Sequence, residues 1–300
     1  MRTHQVGEPR HMAIELKPTN GSASSAIDLM RAIADRKERP KPWVDADSFP
    51  WRDEEFSSRF VRRANYQELY GMKETGEEVD DLAALLNRSA KARVLDMCAG
   101  NGRHAIAMAL RGYRVTGIDV GPGAVNLARE TAKNLGLSVD FRLLDVKSVS
   151  FEDAYDGAYL TCGGLSDFSP SDAAAVLAIV ERALAPGGKV VVEFADKAAA
   201  QTSDVRSWRY VQAEKSLFVE GPHLQLEERL YDAETAAEAA RYYVVPSDGG
   251  VREFARNTSI AAGIARSRST RRMGGITSPS AKRSRASADI EPGTLPPTSV

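Results

Sequence analysis

The 300-residue chain has only two cysteines, Cys98 and Cys162. That is too few for a disulfide framework, and it suits a reducing compartment. No apolar run approaches the roughly 20 residues of a membrane-spanning helix. The N-terminus lacks the apolar core of a secretory signal. The four histidines, His4, His11, His104 and His223, show no metal-ligand spacing. Neither a Gly-x-Ser-x-Gly elbow nor a Walker loop is present. An excess of one charge is missing too: 40 basic residues against 41 acidic ones leave −1, which names no polyanionic partner. These absences predict a soluble cytoplasmic protein that binds no nucleic acid and no membrane.

What is present is an ordinary globular composition, 43% hydrophobic and 27% charged, with length for one or two domains. The charge is uneven. From Asn257 onward seven basic residues face only Asp289 and Glu291, so a +5 tail follows a −6 body. The tail has no aromatic residue and no apolar period, and we expect it to be disordered over 257–300. Residues 1–52 are polar, broken by Pro40, Pro42 and Pro50, and are expected to be largely irregular.

Between these ends the pattern is regular. Helical spacing begins at Asp53 and again near Glu77. Strands are predicted at 93–96, 113–119, 138–145, 155–162 and 190–195. Helices are predicted between them at 101–111, 122–135 and 171–184. Strands alternating with helices imply a doubly wound, mostly parallel sheet. After Asp196 the period shortens. Strands predicted at 216–219, 223–231, 239–245 and 251–254, with turns at Gly221-Pro222 and 246–250, read as an antiparallel meander over 197–256.

The segment Val94-Leu95-Asp96-Met97-Cys98-Ala99-Gly100-Asn101-Gly102-Arg103-His104-Ala105 is the most informative. An apolar strand ends in an acid, and a glycine-rich turn then opens a helix. Glycine allows close backbone approach to a ligand, and the helix start offers free N–H groups. Asp119 ends the second strand, where its carboxylate can accept from both hydroxyls of a ribose, and Asp145 ends the third. Gly100-x-Gly102-x-x-Ala105 also satisfies a loose dinucleotide fingerprint. However, a carboxylate at Asp96 would repel a pyrophosphate and attract a cation.

With the Ala185-Pro186-Gly187-Gly188-Lys189 turn before the fifth strand, residues 90–196 resemble the class I S-adenosylmethionine (SAM)-dependent methyltransferases, in their small-molecule branch. The resemblance implies a Rossmann-like fold, SAM as cofactor and a small-molecule acceptor of the methyl group at oxygen, nitrogen or carbon. It implies that Asp96, Cys98, Ala99, Gly100, Asn101 and Gly102 hold the methionine end of SAM. Asp119 and Val120 would take the ribose and flank the adenine, and Asp145 and Val146 would hold the adenine. Thr161 and Cys162 would lie near the transferred methyl. Cys98 stands where glycine is commoner. Relatives with such a meander usually return to the sheet with a helix and two strands. None is legible here, which leaves the edge beside the fifth strand open.

Asp167, in the loop after the fourth strand, is the candidate to orient or deprotonate the acceptor. The N-terminal helices and the meander would roof the acceptor. Arg103 reads as exposed and His104 as partly packed; the sharper reading has Arg103 meet the SAM carboxylate or His104 order the pocket. Cys98 and Cys162 read as a reduced pair. A nicotinamide-dependent oxidoreductase and a SAM-binding protein without catalysis are the alternatives from other classes.

Overall fold

The computed structural model describes residues 42, 50–62, 75–196, 203–212, 216–261 and 283–288. Tyr66 and Tyr70, which the sequence reads as packing residues or as a closure over SAM, most of the segment 1–52 and most of the tail lie outside the described residues.

Five helices and ten strands are described: α1 (Glu54–Arg62), α2 (Thr75–Leu86), β1 (Arg93–Met97), α3 (Arg103–Leu110), β2 (Arg114–Asp119), α4 (Pro122–Asn134), β3 (Asp140–Leu143), β4 (Tyr155–Leu160), α5 (Pro170–Ala183), β5 (Leu184–Asp196), β6 (Val205–Val211), β7 (His223–Asp232), β8 (Ala237–Pro246), β9 (Arg252–Ala261) and β10 (Arg283–Ala288). The parallel strands run in the order β3-β2-β1-β4-β5. β1 lies at the centre because helices cross over both faces, and its residues serve two cores in alternation. Val94 joins α2, α3 and α4 through Leu82, Met108 and Val125. Leu95 and Met97 join α5 through Val176 and Val180. Every one of these side chains is at most 1% exposed, as the double-sided burial of a parallel sheet demands.

The second part of the sheet, β9-β8-β7-β6, is antiparallel. It meets the first in a short parallel pairing, Ala195↔Ile260 and Asp196↔Ala261. Here the sequence expectations need correction. Residues 216–219 form a turn, not a strand, because the Ser216 hydroxyl accepts the Val219 N–H at 3.1 Å and so replaces a ladder bond. A strand at 205–211 takes its place. The expected tail boundary at 257 falls inside β9. Residues 283–288 form β10, antiparallel to β5, so β9 and β10 cover the edge expected to be open. β5 starts earlier than expected and loops out at 185–188, where Gly187 has φ 75°.

α1 is docked by two contacts. The Ser57 hydroxyl accepts the Gly123 N–H at the start of α4, at 3.0 Å. A Cβ on Gly123 would lie 2.5 Å or less from Ser58 backbone and side-chain atoms, so only glycine permits this approach. An aromatic cluster then ties α1 to the meander. Phe56 stacks on Phe254 at 5.8 Å, and Phe218 lies 4.7 Å from Phe254 and 5.0 Å from Tyr242.

Candidate functional site

The carboxyl ends of β1, β2 and β4 meet where the order of the parallel sheet reverses, the usual crevice of an open α/β sheet. Asp96 is 1% exposed and lies opposite Tyr159 across the β1/β4 ladder. The Tyr159 hydroxyl faces it, yet neither Tyr159 Oη nor Asp96 Oδ2 completes a hydrogen bond among the described residues. Burial is the main cause that pushes the Asp96 carboxyl up to about 8. With its pKa so raised the Asp96 carboxyl is neutral at pH 7, and a bound cation would favour its ionised form.

The turn over Asp96 is tightly folded. Cys98, Gly100 and Gly102 all have positive φ, at 61°, 55° and 77°. Cys98 therefore adopts the left-handed conformation in which glycine is commoner, at a cost of roughly 1–2 kcal/mol. The loop keeps its geometry all the same: Ala99 N–H donates to Ile118 O at 2.9 Å and Gly102 N–H to Ala99 O at 2.9 Å. Burial pushes the Cys98 thiol well up, so it is a neutral wall group rather than a nucleophile. Gly102 is required twice, by its φ and because a Cβ there would lie 2.5 Å from the Phe141 ring. It begins α3 and offers no side-chain cap of its own. Asn101 Oδ1 accepts the Arg103 N–H at 3.3 Å.

Asp119 links the turn to the next helix. Its Oδ2 accepts Gly100 N–H and its Oδ1 accepts Gly121 N–H, both at 2.8 Å. Each oxygen keeps a lone pair for a ligand hydroxyl. Burial raises its carboxyl above the ordinary value, against these bonds. Val120 is half-buried beside it. Asp145 caps the turn 146–148 by accepting Lys147 N–H at 2.9 Å, while its other oxygen accepts Arg52 Nη2 at 2.6 Å. Val146 is 5% exposed in the core below.

A polar network behind this crevice was not legible in the sequence. Arg103 is 8% exposed, so the exposed reading is corrected. It donates to Thr75 Oγ1 and Glu78 Oε2 on α2 and lies 3.2 Å from Cys162 Sγ. His104 contacts Glu78 through Nε2 and Thr161 through Nδ1. Cys162 N–H donates to the buried Glu193 of β5 at 2.9 Å. Glu193 has a sequence signal, an acid inside an apolar run of valines. Glu78 has none, being one of several acids in α2. Both cysteines are free thiols.

Asp167 sits apart, at the end of the turn 164–167. Its Oδ1 accepts Arg256 Nε and Nη2 from β9 at 3.0 and 2.8 Å. Burial raises its carboxyl, and Arg256 opposes the rise. Ser259 of β9 donates to Phe168 O at 3.1 Å, so β9 is fastened along this loop. Among the described residues no group of His, Cys, Asp and Glu is arranged to hold a metal.

Comparison with known proteins agrees with this geometry. Residues 94–188 match the family model described as a methyltransferase domain. A ubiquinone biosynthesis O-methyltransferase of Xanthomonas axonopodis pv. citri is 33% identical over 111 residues, 37% of this chain and 46% of that protein. Its counterpart from Hahella chejuensis is 34% identical over 109 residues, 36% of this chain and 44% of that protein. The chain thus spans less than half the length of these curated relatives. In fold it is similar to the CcbJ methyltransferase from Streptomyces caelestis, with a TM-score of 0.50 at 22% identity over 70% of this chain and 82% of that one. A SAM-dependent methyltransferase from Clostridium acetobutylicum gives a TM-score of 0.50 at 11% identity, over 65% of this chain and 79% of that one. The family model and the relatives agree over the parallel sheet: residues 94–188 are similar to methyltransferase domains, and the fold is similar to that of SAM-dependent methyltransferases.

Proposed function

We propose that this protein transfers a methyl group from SAM to an oxygen, nitrogen or carbon nucleophile of a small molecule. The observation that carries the proposal is the buried Asp96 carboxyl beneath the glycine turn, whose Oδ2 has no hydrogen-bond partner among the described residues. A cationic methionine end would favour the ionised form of that carboxyl, whereas a pyrophosphate would gain no such attraction. Asp96 and the turn 98–102 would hold the methionine end, Asp119 and Val120 the ribose, and Asp145 and Val146 the adenine, once Arg52 releases Asp145. SAM supplies a methyl on a sulfonium, open to in-line displacement. The chain's part is to hold the nucleophile at about 3–3.5 Å in line and to exclude water.

The meander roofs the acceptor side in this reading. On one face of it Tyr242, Glu227, Arg229, Glu238 and Arg256 lie close enough to affect one another's charge. Such a lining suits an acceptor bearing hydroxyl or amine groups. Asp167 orients the acceptor through Oδ2, since both Arg256 bonds fall on Oδ1. The O-methyltransferase relatives make phenolic acceptors the first to try.

Isothermal titration with SAM tests the proposal. We expect binding by the wild type and a loss of at least about 100-fold in Asp119→Ala, roughly 2.7 kcal/mol. No heat from the wild type, or equal affinity in the variant, overturns it. Turnover over a panel of phenolic, amine and carboxylate acceptors then identifies the acceptor.

A further inference from the structure

Three side chains line up behind the carboxyl end of β4. Glu78 Oε2 lies 2.9 Å from His104 Nε2, and His104 Nδ1 lies 3.2 Å from Thr161 Oγ1. His104 is 5% exposed. Thr161 is only half-buried and directly follows the carboxyl end of β4.

Charge fixes the direction of these hydrogen bonds. Burial disfavours an ionised Glu78, but hydrogen bonds from His104 and Arg103 outweigh it and hold the carboxyl at about 2. Glu78 is therefore a carboxylate and can only accept. Burial lowers the His104 pKa, so the imidazole is neutral with a single proton. That proton belongs on Nε2, facing the carboxylate, which leaves Nδ1 as an acceptor. The Thr161 hydroxyl must then donate to Nδ1. Its oxygen offers the crevice lone pairs alone.

We propose that Glu78, His104 and Thr161 form a one-way relay in which Thr161 Oγ1 is an acceptor-only group beside the reacting centre. The nucleophile presents an O–H or N–H to it, and its proton leaves by this path. The inference rests on the methyltransferase reading and deepens it by naming the proton's exit and a required feature of the acceptor. For a hydroxyl acceptor, the acceptor oxygen bonds the methyl while the S–CH3 electron pair stays on sulfur. The acceptor's proton passes to Thr161 Oγ1 as Thr161's own proton passes to His104 Nδ1. The products are a methyl ether, a neutral thioether and an imidazolium facing Glu78, which later yields its proton to solvent. Arg103 and Glu193 are the other charged groups that act on His104. Arg103 disfavours the imidazolium, whereas Glu193 and Glu78 favour it.

Two measurements test the relay without a known acceptor. Long-range 1H–15N spectra of the wild type at pH 7 should show His104 neutral with its proton on Nε2. A charged ring, or a proton on Nδ1, overturns the relay. Titration with sinefungin, a SAM analogue with a protonated amine where SAM carries the transferable methyl group, reads Thr161 directly. Thr161→Val should bind it at least about tenfold more weakly than wild type, and Thr161→Ser should restore the affinity. S-adenosylhomocysteine, which lacks that group, should bind all three alike. Equal sinefungin affinity in wild type and Thr161→Val overturns the inference. SAM titration of the wild type separates the two readings: no SAM binding overturns the methyltransferase reading itself, whereas SAM binding with an indifferent Thr161→Val overturns the relay alone. With any acceptor that turns over, Thr161→Val should lower kcat while leaving the KM for SAM unchanged.

Discussion

The parallel and antiparallel parts of the sheet handle charge in opposite ways. In β1, β2 and β3 acids lie at or just past the carboxyl ends, as Asp96, Asp119 and Asp145; loop N–H groups meet Asp119 and Asp145, while Asp96 is buried opposite Tyr159. In the meander the charges lie mid-strand and are answered across the ladder. Glu228 is 2% exposed and pairs in register with Arg241. It accepts from Arg206 at 2.8 Å and from the Tyr243 hydroxyl at 3.2 Å, while Arg241 pairs with Glu253 at 2.7 Å. The backbone topology sets the first arrangement, so it goes with the fold. Side-chain choice sets the second, so it can change from one acceptor to another while the fold stays.

If this contrast is right, the two parts should fail separately. The largest effect is expected where they are joined. Phe218→Ala removes the centre of the aromatic cluster and should cost about 3–5 kcal/mol in denaturant unfolding. The loss should fall on the meander's amide protection first, with β1 and β4 keeping theirs; equal loss in both would break the comparison.

A smaller effect is expected inside the cofactor part. Asp96 is raised to about 8 from an ordinary value of 3.8. The folded apo protein thus binds a proton that the unfolded chain has released. The sign is that this group's contribution is full below the ordinary value, falls as pH rises towards about 8 and is flat above. A cationic ligand favours the ionised form, so SAM affinity should rise up to tenfold per pH unit until about 8, with proton uptake by buffer in calorimetry. Asp96→Asn should flatten the slope. The smallest effect is at the turn. Cys98→Gly relieves a left-handed non-glycine residue but adds chain entropy to the unfolded state, so stability should change by no more than about 1 kcal/mol.

The same contrast explains what was legible. Asp96 and Gly102 stand in one short stretch, and Asp119 and Asp145 repeat the same strand-end position, so they could be read together as candidates. The Glu78–His104–Thr161 alignment could not, because it joins α2, α3 and β4 through space. β6 was missed because residues 206–210 are exposed on both faces, Trp208 at 72% included, so no period of two is written in it. The turn 216–219 was misread because Leu217, Phe218 and Val219 look like strand residues until the Ser216 hydroxyl claims the backbone.

The ion pair of Arg52 with Asp145 shows how the site waits. Its arginine side chain is 69% exposed and its carboxylate 23% exposed, a setting in which such a pair is worth no more than about 1 kcal/mol. Arg52 therefore holds the Asp145 carboxylate in place, and in the proposed reading it is loose enough to give way to an adenine amine. If SAM binds as proposed, its entry at Asp145 is an exchange of partners, not the filling of a vacant place.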